Sequence, residues 1–415
     1  MRIDRDSIRE ILDSITRNKS RSLLTGFGVF WGVFMLMLLV GGGRGLKQLL
    51  QNNFDGFAQN TCIVYASQTT KPYKGLKKGR WWSLTQGDVQ RLMNLVPELE
   101  TVTPIVSLWG KTAKRNELSY TDGSIKGVRA DYVNIETPKM FYGRFLNDMD
   151  ILQERKVCVL GKKVYTNLFP EGGDPCGQNI EIDGIYYQVV GVNYNTGNIS
   201  INGSAEDSVS IPISIAQKTY NFGDRIHLLC FTAKDGVTMN DIIPKCREVI
   251  ARNHGIDPTD TGSMFMLNTQ LIFGIVDNLF KGINFLIWLI GLGTLLAGAI
   301  GVSNIMMVSV KERTSEIGIR RAIGATPRVI LGQIISESMV LTLTAGMLGI
   351  VVAVFILQGI ELAMTTDGIL KAPFQVSFST AIAAALLLSV LGVLAGLAPS
   401  LRAMQIKPVD AMREE

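Results

Sequence analysis

The stretch FLIWLIGLGTLLAGAIGV, residues 285–302, decides the class of fold. It carries no charged residue, and the uncharged run around it extends from Lys281 to Lys311. A helix needs about 20 mainly apolar residues to cross the roughly 30 Å hydrocarbon core of a membrane. The stretch therefore predicts a transmembrane helix.

Three further apolar runs have the same character. One lies between Arg21 and Arg44, and another, at 329–360, carries only Glu337 as a charged residue. The sequence thus predicts four spans, at 23–43, 283–310, 329–360 and 378–400. A signal peptide is the alternative for the first span, but its apolar part exceeds the usual length of about 7–15 residues. We expect Glu337 to reach toward the cytoplasmic surface, the alternative being a proton relay.

Composition and charge agree with a chain that is part membrane and part soluble domain. Of its 415 residues, 47% are hydrophobic, and its net charge of +5 is concentrated beside the spans. Flanking Lys and Arg residues report membrane orientation rather than binding of nucleic acid. The basic flanks predict that 1–22, 311–328 and 401–415 are cytoplasmic, and that 44–282 and 361–377 lie outside a bacterial plasma membrane.

The large external segment has two similar units. A strand at 61–66 precedes an amphipathic helix and a strand, and the pattern repeats from HLLCFTA, residues 227–233. Two such units predict a split βαβ layout, with an inserted β-rich lobe at about 131–215 that has its own helix near 160–169. Amphipathic stretches at 46–57 and 267–280 predict a paired helical stalk. The fold class is thus membrane α-helical plus an α+β extracytoplasmic domain.

Small residues recur at intervals of four within the spans, which lets helices approach closely. The alternative is that glycine is simply common in membrane helices. The predicted packing residues are Gly28, Gly32, Gly293, Gly301, Gly392 and Gly396. Two other glycine-rich stretches, GGGRG at 41–45 and GGDPCG at 172–177, are interpreted as turns.

Motifs of catalysis and cofactor binding are missing from the sequence. There is no GxxxxGK[ST] phosphate loop, no HExxH or GxSxG motif, and no Cys/His spacing for zinc. We therefore predict neither an enzyme nor a cofactor or metal site. The five cysteines are scattered, so buried thiols are favoured over a disulfide framework.

The segment NIMMVSVKERTSEIGIRRAIGATPRVI, residues 304–330, has dense helix signals. Glu316 and Arg320 form an i,i+4 pair in the favourable order. Gly324 suits a helix end, Thr326 the next N-cap, and Pro327 the first turn of the third span. The pattern predicts a short cytoplasmic docking helix, with a merely topogenic basic loop as the alternative.

This segment resembles the signature of MacB/FtsX-type ABC transporter permeases. The resemblance extends to the leader RDSIREILDSITRNKSRSLLT, the lobe from KMFYGRFLNDMD to GIYYQVVGV, and the tail APSLRAMQIKPVDAMREE. It implies a MacB-like core domain outside the membrane and an FtsX-like permease domain at 283–408. It also implies a helix that couples to an ATPase, with Glu312, Arg313, Glu316, Gly318, Arg320 and Arg321 matching the family pattern.

The resemblance implies partners as well. ATP would be bound by an ATPase subunit on a separate chain, and a second permease chain would complete a homo- or heterodimer. The chain would transmit motion to its outer domain, for efflux of drugs, peptides or envelope substrates. A periplasmic adaptor and an outer-membrane channel would belong to that pathway. The alternatives are a lipoprotein-release permease, an FtsX-like scaffold or sensor for an envelope enzyme, and a membrane-bound hydrolase.

Overall fold

The computed structural model describes residues 19–52, 54–194, 200–365 and 372–406. Most of the predicted leader at 1–22, part of the loop at 361–377 and most of the tail at 401–415 lie outside these residues. The chain forms two compact units. The sheet unit is residues 50–277, and the helical unit is the described part of 1–49 together with 278–415.

The elements are numbered along the chain over the described residues. The helices are α1 (Lys19–Asn52), α2 (Gln86–Leu95), α3 (Asp148–Leu152), α4 (Lys162–Leu168), α5 (Ile213–Thr219), α6 (Met239–Asn253), α7 (Thr269–Glu312), α8 (Thr314–Ala322), α9 (Pro327–Met364) and α10 (Phe378–Met404). The strands are β1 (Thr61–Ala66), β2 (Leu84–Thr85), β3 (Leu99–Leu108), β4 (Ala113–Arg115), β5 (Leu118–Tyr120), β6 (Ser124–Val128), β7 (Lys139–Gly143), β8 (Val157–Gly161), β9 (Asn179–Ile182), β10 (Ile185–Tyr194), β11 (Ser208–Pro212), β12 (Arg225–Ile226), β13 (Leu228–Ala233) and β14 (Met264–Asn268).

The helical unit is built from the four predicted spans. Within the described residues, α1, α7, α9 and α10 are long and apolar enough to cross a membrane. Their buried core includes Val33 and Met37 of α1, Val302 of α7, and Leu388 of α10. The predicted stalk and second span are continuous, because α7 is one helix of 44 residues. The helix begins at Thr269, two residues after the predicted start of the stalk at 267, because Leu267 and Asn268 belong to β14.

The GGGRG stretch is helical rather than a turn, contrary to the sequence-based interpretation. Residues 41–45 lie inside α1. A Cβ atom at Gly45 would overlap the ring of Phe374, and one at Gly41 would overlap the side chain of Leu357. These glycines form a notch on α1 that Phe374 and Leu357 fill, and helix packing outweighs the helix-breaking tendency of glycine.

The other glycines divide into two groups. A Cβ atom at Gly28 would lie 3.8 Å from the Cα atom of Gly298, and one at Gly32 would lie 3.2 Å from the carbonyl oxygen of Thr294. Gly392 and Gly396 similarly face Met339 and Ile335 of α9, at 3.1 and 3.2 Å. By contrast, a Cβ atom at Gly293 or Gly301 would meet nothing within 4 Å among the described residues. Among the described residues no neighbouring helix packs on these two glycines, because α1 lies against the α7 stripe that carries Gly291 and Gly298. Their packing role stays a prediction.

The sheet unit contains the predicted split βαβ layout. Strands β14, β1, β13 and β3 are neighbours in that order and pair antiparallel. Ile63 of β1, for example, lies between Cys230 of β13 and Leu267 of β14. Helices α2 and α6 bury Leu92 and Ile250 in the same core cluster. The α+β fold class is confirmed.

The inserted lobe is continuous with this sheet and is larger than predicted. Strand β3 is ten residues long; its first part pairs with β13, and Val106–Leu108 pair with β6. The sheet then continues through β11, β8, β10, β9, β4 and β5, with β7 also on β10. The lobe therefore includes β4–β6, which precede the predicted start at residue 131. Its predicted helix near 160–169 is α4.

Candidate functional site

The segment between α7 and α9 is the candidate site, and it folds as a helical hairpin. The chain leaves α7 at Glu312 and turns at once into α8, where the hydroxyl of Thr314 donates to the carbonyl oxygen of Lys311 at 2.7 Å. Gly324 has a φ of +109°, which few other residues adopt readily. Pro327 opens α9 after the extended residue Thr326. The helix signals thus predict the local structure well.

Arg313 connects the hairpin to the third span. Its Nη1 atom lies 3.6 Å from Oε1 of Glu337, a residue inside α9. The side chains are 23% and 8% exposed, respectively. Glu337 therefore does not reach toward the surface as predicted. It stays buried because Arg313 of the hairpin lies beside it. Replacing either residue of such a buried pair is strongly destabilising.

Arg320 makes a second connection to α9. Its guanidinium donates to Oε1 of Glu316 at 2.8 Å, which is the predicted i,i+4 pair, and to Oε1 of Gln333 at 3.0 Å. Between α7, α8 and α9 lies a cavity of about 30 Å³, lined by Arg313, Arg320 and Glu337 among others. That volume is enough for a water molecule, which could join these polar groups.

Arg321 ties the same helix to the end of the fourth span. Its Nη1 atom donates to the carbonyl oxygen of Met404 at 2.9 Å and also to that of Ile406. Gly318, also in α8, is buried. Three arginines predicted to contact an ATPase, Arg313, Arg320 and Arg321, thus hold α8 against the spans of their own chain.

The opposite face of α8 is apolar and exposed, which the sequence reasoning missed. Ile319 is 46% exposed and Ile323 is 82% exposed. They are four residues apart, so they lie on one side of the helix, with Ser315 and Ala322 also exposed. Glu312 and Glu316 of the predicted set are exposed as well. The signal was available: in SEIGIRRAIG the helical period separates Ile319 and Ile323 from the partly buried Ile317.

Comparison with known families decides the identity of the chain. Residues 22–249 match the family model of the MacB-like periplasmic core domain, and residues 288–408 match that of the FtsX-like permease C-terminal domain. The chain belongs to the MacB/FtsX-like family of ABC transporter permeases. It is a membrane protein with an extracytoplasmic domain, as the resemblance predicted.

The relatives of this permease include proteins of the same length and longer proteins. It is 28% identical over 414 residues to YknZ of Bacillus subtilis (strain 168), an uncharacterized ABC transporter permease, and the match covers 99% of each chain. It is 27% identical over 419 residues to the macrolide export ATP-binding/permease protein MacB of Agrobacterium fabrum, covering 100% of this chain but 61% of that protein. The crystal structure of the periplasmic region of MacB from Actinobacillus actinomycetemcomitans matches 55% of this chain and 96% of its own, with a TM-score of 0.43 and 21% identity.

Proposed function

We propose that this permease is the membrane subunit of an ABC transporter and that its ATPase docks on the exposed face of α8. The observation that carries the proposal is the division of α8 into two faces. Its inner face is fastened to α9 and α10 by arginines, while Ile319 and Ile323 are exposed on the other. An apolar helix face fits a groove of a partner, as in helix-in-groove recognition.

The ATPase belongs to a separate chain in this proposal. Support comes from the match with YknZ, which is named as a permease and is aligned over 99% of both chains. The MacB relative, whose name includes an ATP-binding function, is longer, and this chain spans 61% of it. ATP would then be bound by the partner, and two permease chains would assemble with the ATPase subunits.

The mechanism is transmission of motion along helices. Helix α7 continues without a break from the hairpin at Glu312 back to Thr269, a length of roughly 66 Å at about 1.5 Å per residue. A force on α8 is passed to α7 and α9 because the hairpin is short and its arginines fix it to the spans. ATP binding can shift such an equilibrium only if the ATPase holds α8 differently in its two states.

The orientation in a bacterial inner membrane is part of the proposal. The basic residues flanking the spans support a cytoplasmic hairpin and an external sheet unit. An impermeant thiol reagent applied to spheroplasts should label a cysteine introduced at Asn94, an exposed residue of α2, but not one at Ser315. The Cys176→Ser background removes the half-buried native thiol. Labelling at position 315 in intact spheroplasts would show that the orientation is the opposite of the one proposed.

The docking test replaces the exposed isoleucines. Ile319→Gln/Ile323→Gln keeps helix propensity but removes two apolar side chains, each worth about 1.5–3 kcal/mol when buried. We expect stimulation of the ATPase and co-purification with it to fall at least about 10-fold. Val329→Gln, which replaces an exposed apolar residue of α9 outside α8, is the control and should change both little.

The opposite result separates the candidate functions. Full stimulation by the double variant would exclude this face as the docking site. If no ATPase co-purifies with the unmodified chain, an envelope scaffold or sensor becomes the better proposal. For the transported substrate, we propose export of drugs, peptides or envelope molecules, and vesicle efflux assays on the assembled complex test it.

A further inference from the structure

A basic hairpin follows β1 in the sheet unit. Residues 69–80, here called the basic hairpin, carry five cations, and no aspartate or glutamate occurs between residues 67 and 87. The cations are Lys71, Lys74, Lys77, Lys78 and Arg80. Nothing in the transport mechanism described above uses this segment.

The basic hairpin concentrates cations that have no carboxylate beside them. Several surface cations of the sheet unit are paired, namely Lys111–Asp183, Lys139–Asp55, Lys163–Asp207, Lys218–Glu154 and Lys245–Glu98. Exposed lysines without an ion pair among the described residues, such as Lys114, Lys156 and Lys234, are scattered over that unit. Among the described residues, Lys74, Lys77 and Lys78 have no carboxylate within ion-pair distance and are exposed. Lys71 donates to Thr259 at 2.9 Å. An ordinary solvated surface mixes both signs of charge, so this is a concentrated positive patch.

The base of the basic hairpin is firmly anchored. Asp260, almost fully buried, accepts hydrogen bonds from the backbone N–H of Thr70 at 2.7 Å and of Lys71 at 3.1 Å. Arg80 donates to the carbonyl oxygen of His254 at 2.7 Å, and the indole of Trp82 donates to that of Ser263 at 2.9 Å. The lysines are therefore held on a preorganised platform, which lowers the entropy lost on binding.

The tip of the basic hairpin is a tight turn with an unusual residue. Tyr73 and Leu76 exchange backbone hydrogen bonds at 3.1 and 2.9 Å. Between them, Lys74 has a φ of 46° and Gly75 a φ of 80°, the pattern of a type I′ turn. Asn, Asp or Gly normally takes the first of these positions, so lysine occupies it at a cost in backbone strain. Such an outlier is a reason to look for a function.

An aromatic side chain accompanies the charges. Trp81 follows the basic hairpin and is 73% exposed, whereas its neighbour Trp82 is buried. Both residues lie at the end of β1 and β14 where Ala66 pairs with Met264. Helix α7 begins at the other end of β14, after Asn268. The surface is thus at the end of the sheet opposite the exit into α7.

We propose that the basic hairpin and Trp81 dock an anionic polymer of the cell envelope that carries closely spaced phosphate groups. Lysine-rich segments of this length are typical of surfaces that bind polyanions. Lysine binds phosphate as a point charge, and it is depleted in the cores of protein–protein interfaces. Because the sheet unit is extracytoplasmic, the polymer is one of the envelope, and an acidic protein is the competing occupant.

The test uses the full chain in phosphatidylcholine nanodiscs and labelled linear inorganic polyphosphate as the probe. The variant Lys74→Asn/Lys77→Gln/Lys78→Gln removes three charges while keeping a residue that suits the turn. The control Lys111→Gln/Lys163→Gln/Lys218→Gln removes three charges from ion pairs of the same unit. We expect the hairpin variant to bind at least about 10-fold more weakly, and its slope of log affinity against log salt to fall by about 2, at about 0.7 per charge. The control should keep most of the affinity.

Three results would overturn the proposal. The first is absence of binding by the unmodified chain, and the second is equal loss in the two triple variants. The third is tighter binding of polyglutamate than of polyphosphate, which would assign the surface to an acidic protein. A further variant, Trp81→Phe, removes the uncharged indole N–H donor, so it should weaken polyphosphate binding without changing the salt slope. An unchanged thermal transition shows that each variant is folded.

Discussion

The guanidinium of Arg313, at the turn between α7 and α8, lies 3.6 Å from the buried carboxylate of Glu337 in α9. This pair joins the end of the second span to the interior of the third. A carboxylate with 8% of its side chain exposed requires a cation, and the hairpin supplies it. The pair therefore makes the position of α8 depend on the packing of the spans.

Glu337→Ala should loosen the hairpin without unfolding the sheet unit. Removing the carboxylate breaks a largely buried ion pair, which costs about 3 kcal/mol. We expect faster tryptic cleavage after Arg320 and Arg321, measured on the full chain in detergent. Ser336→Ala, on the same helix, is the control. Equal cleavage rates in all three proteins would show that the pair does not hold the hairpin.

Gly45→Ala should destabilise the helical unit, because the added methyl group overlaps the ring of Phe374. Overpacking of this kind costs about 1–3 kcal/mol. Gly42→Ala is a matched control in the same run of glycines, since its Cβ atom would meet nothing within 4 Å among the described residues. Thermal unfolding in detergent should separate the two variants, and Phe374→Ala should remove most of the difference. A Gly42→Ala variant that is equally destabilised would refute the notch.

Local sequence signals predicted the helical hairpin between α7 and α9 because they act within a few residues. Gly324, Pro327 and the Glu316–Arg320 pair depend on backbone conformation and on the spacing of side chains along one helix. The partners of Arg313 and Arg321 could not be predicted in this way. They come from α9 and α10, and contacts between helices depend on packing that a single sequence does not display.

The glycines also show that local sequence does not reveal how helices pack against one another. A run such as GGGRG reads as a turn when local propensity alone is considered. In the structure the run is helical, and Gly45 makes room for Phe374, more than three hundred residues along the chain. Likewise, a spacing of four selected Gly293 and Gly301 but could not tell which face of α7 lies against α1. The alternation of strands and helices in the sheet unit was more informative, because burial of one face imposes its period on the sequence.

The thiols provide a prediction that depends on pH. Cys62, Cys158, Cys230 and Cys246 are buried, and burial raises the pKa of each thiol. Burial and the nearby carboxylate of Asp174 raise the pKa of half-buried Cys176 to about 11. Because the thiolate is the nucleophile, we expect slow alkylation of Cys176 at neutral pH that accelerates as pH rises toward that value. Mass spectrometry of the native protein checks this.

The thiol prediction is controlled by removing Cys176 and by denaturing the protein. Cys176→Ser should abolish labelling of the folded protein, whereas denaturation should expose the remaining four thiols. All five cysteines are free in the structure. A mass lower by two hydrogens per pair under non-reducing conditions would show a disulfide and contradict the prediction.

The last prediction concerns Lys126 and Glu136, a charge pair buried in the sheet unit. The Lys126 ammonium lies 3.9 Å from Oε2 of Glu136, and it donates to the hydroxyl of Ser200 at 3.1 Å and to the carbonyl oxygen of Gly203 at 3.0 Å. Glu136 accepts from the same hydroxyl at 2.8 Å and from the backbone N–H of Ile201. Residues 200–203 are thus held by both charges.

Removing both charges should therefore cost less than the sum of removing each one alone. Lys126→Met leaves Glu136 buried without a cation, and we expect a loss of about 3 kcal/mol in the free energy of unfolding. Glu136→Gln should also destabilise, while the double variant should fall short of the sum by about 1–3 kcal/mol. Lys163→Met, which removes a surface lysine, is the control and should cost under about 1 kcal/mol. Additive single effects would show that the two charges do not interact.

The pH dependence follows from the direction of the Lys126 shift. Burial lowers the pKa of Lys126, an effect that the Glu136 carboxylate partly offsets. The folded state then releases this proton at a lower pH than the unfolded state, whose lysine has a pKa of about 10.4. Between the two values the unfolded chain binds more protons, so this contribution to stability rises with pH. Unfolding of the full chain followed by tryptophan fluorescence should show the stability advantage of the native sequence over the double variant growing as pH rises toward 10. An advantage that stays constant over that range would mean that Lys126 keeps its ordinary pKa in the folded protein, and one that shrinks would mean that its pKa is raised.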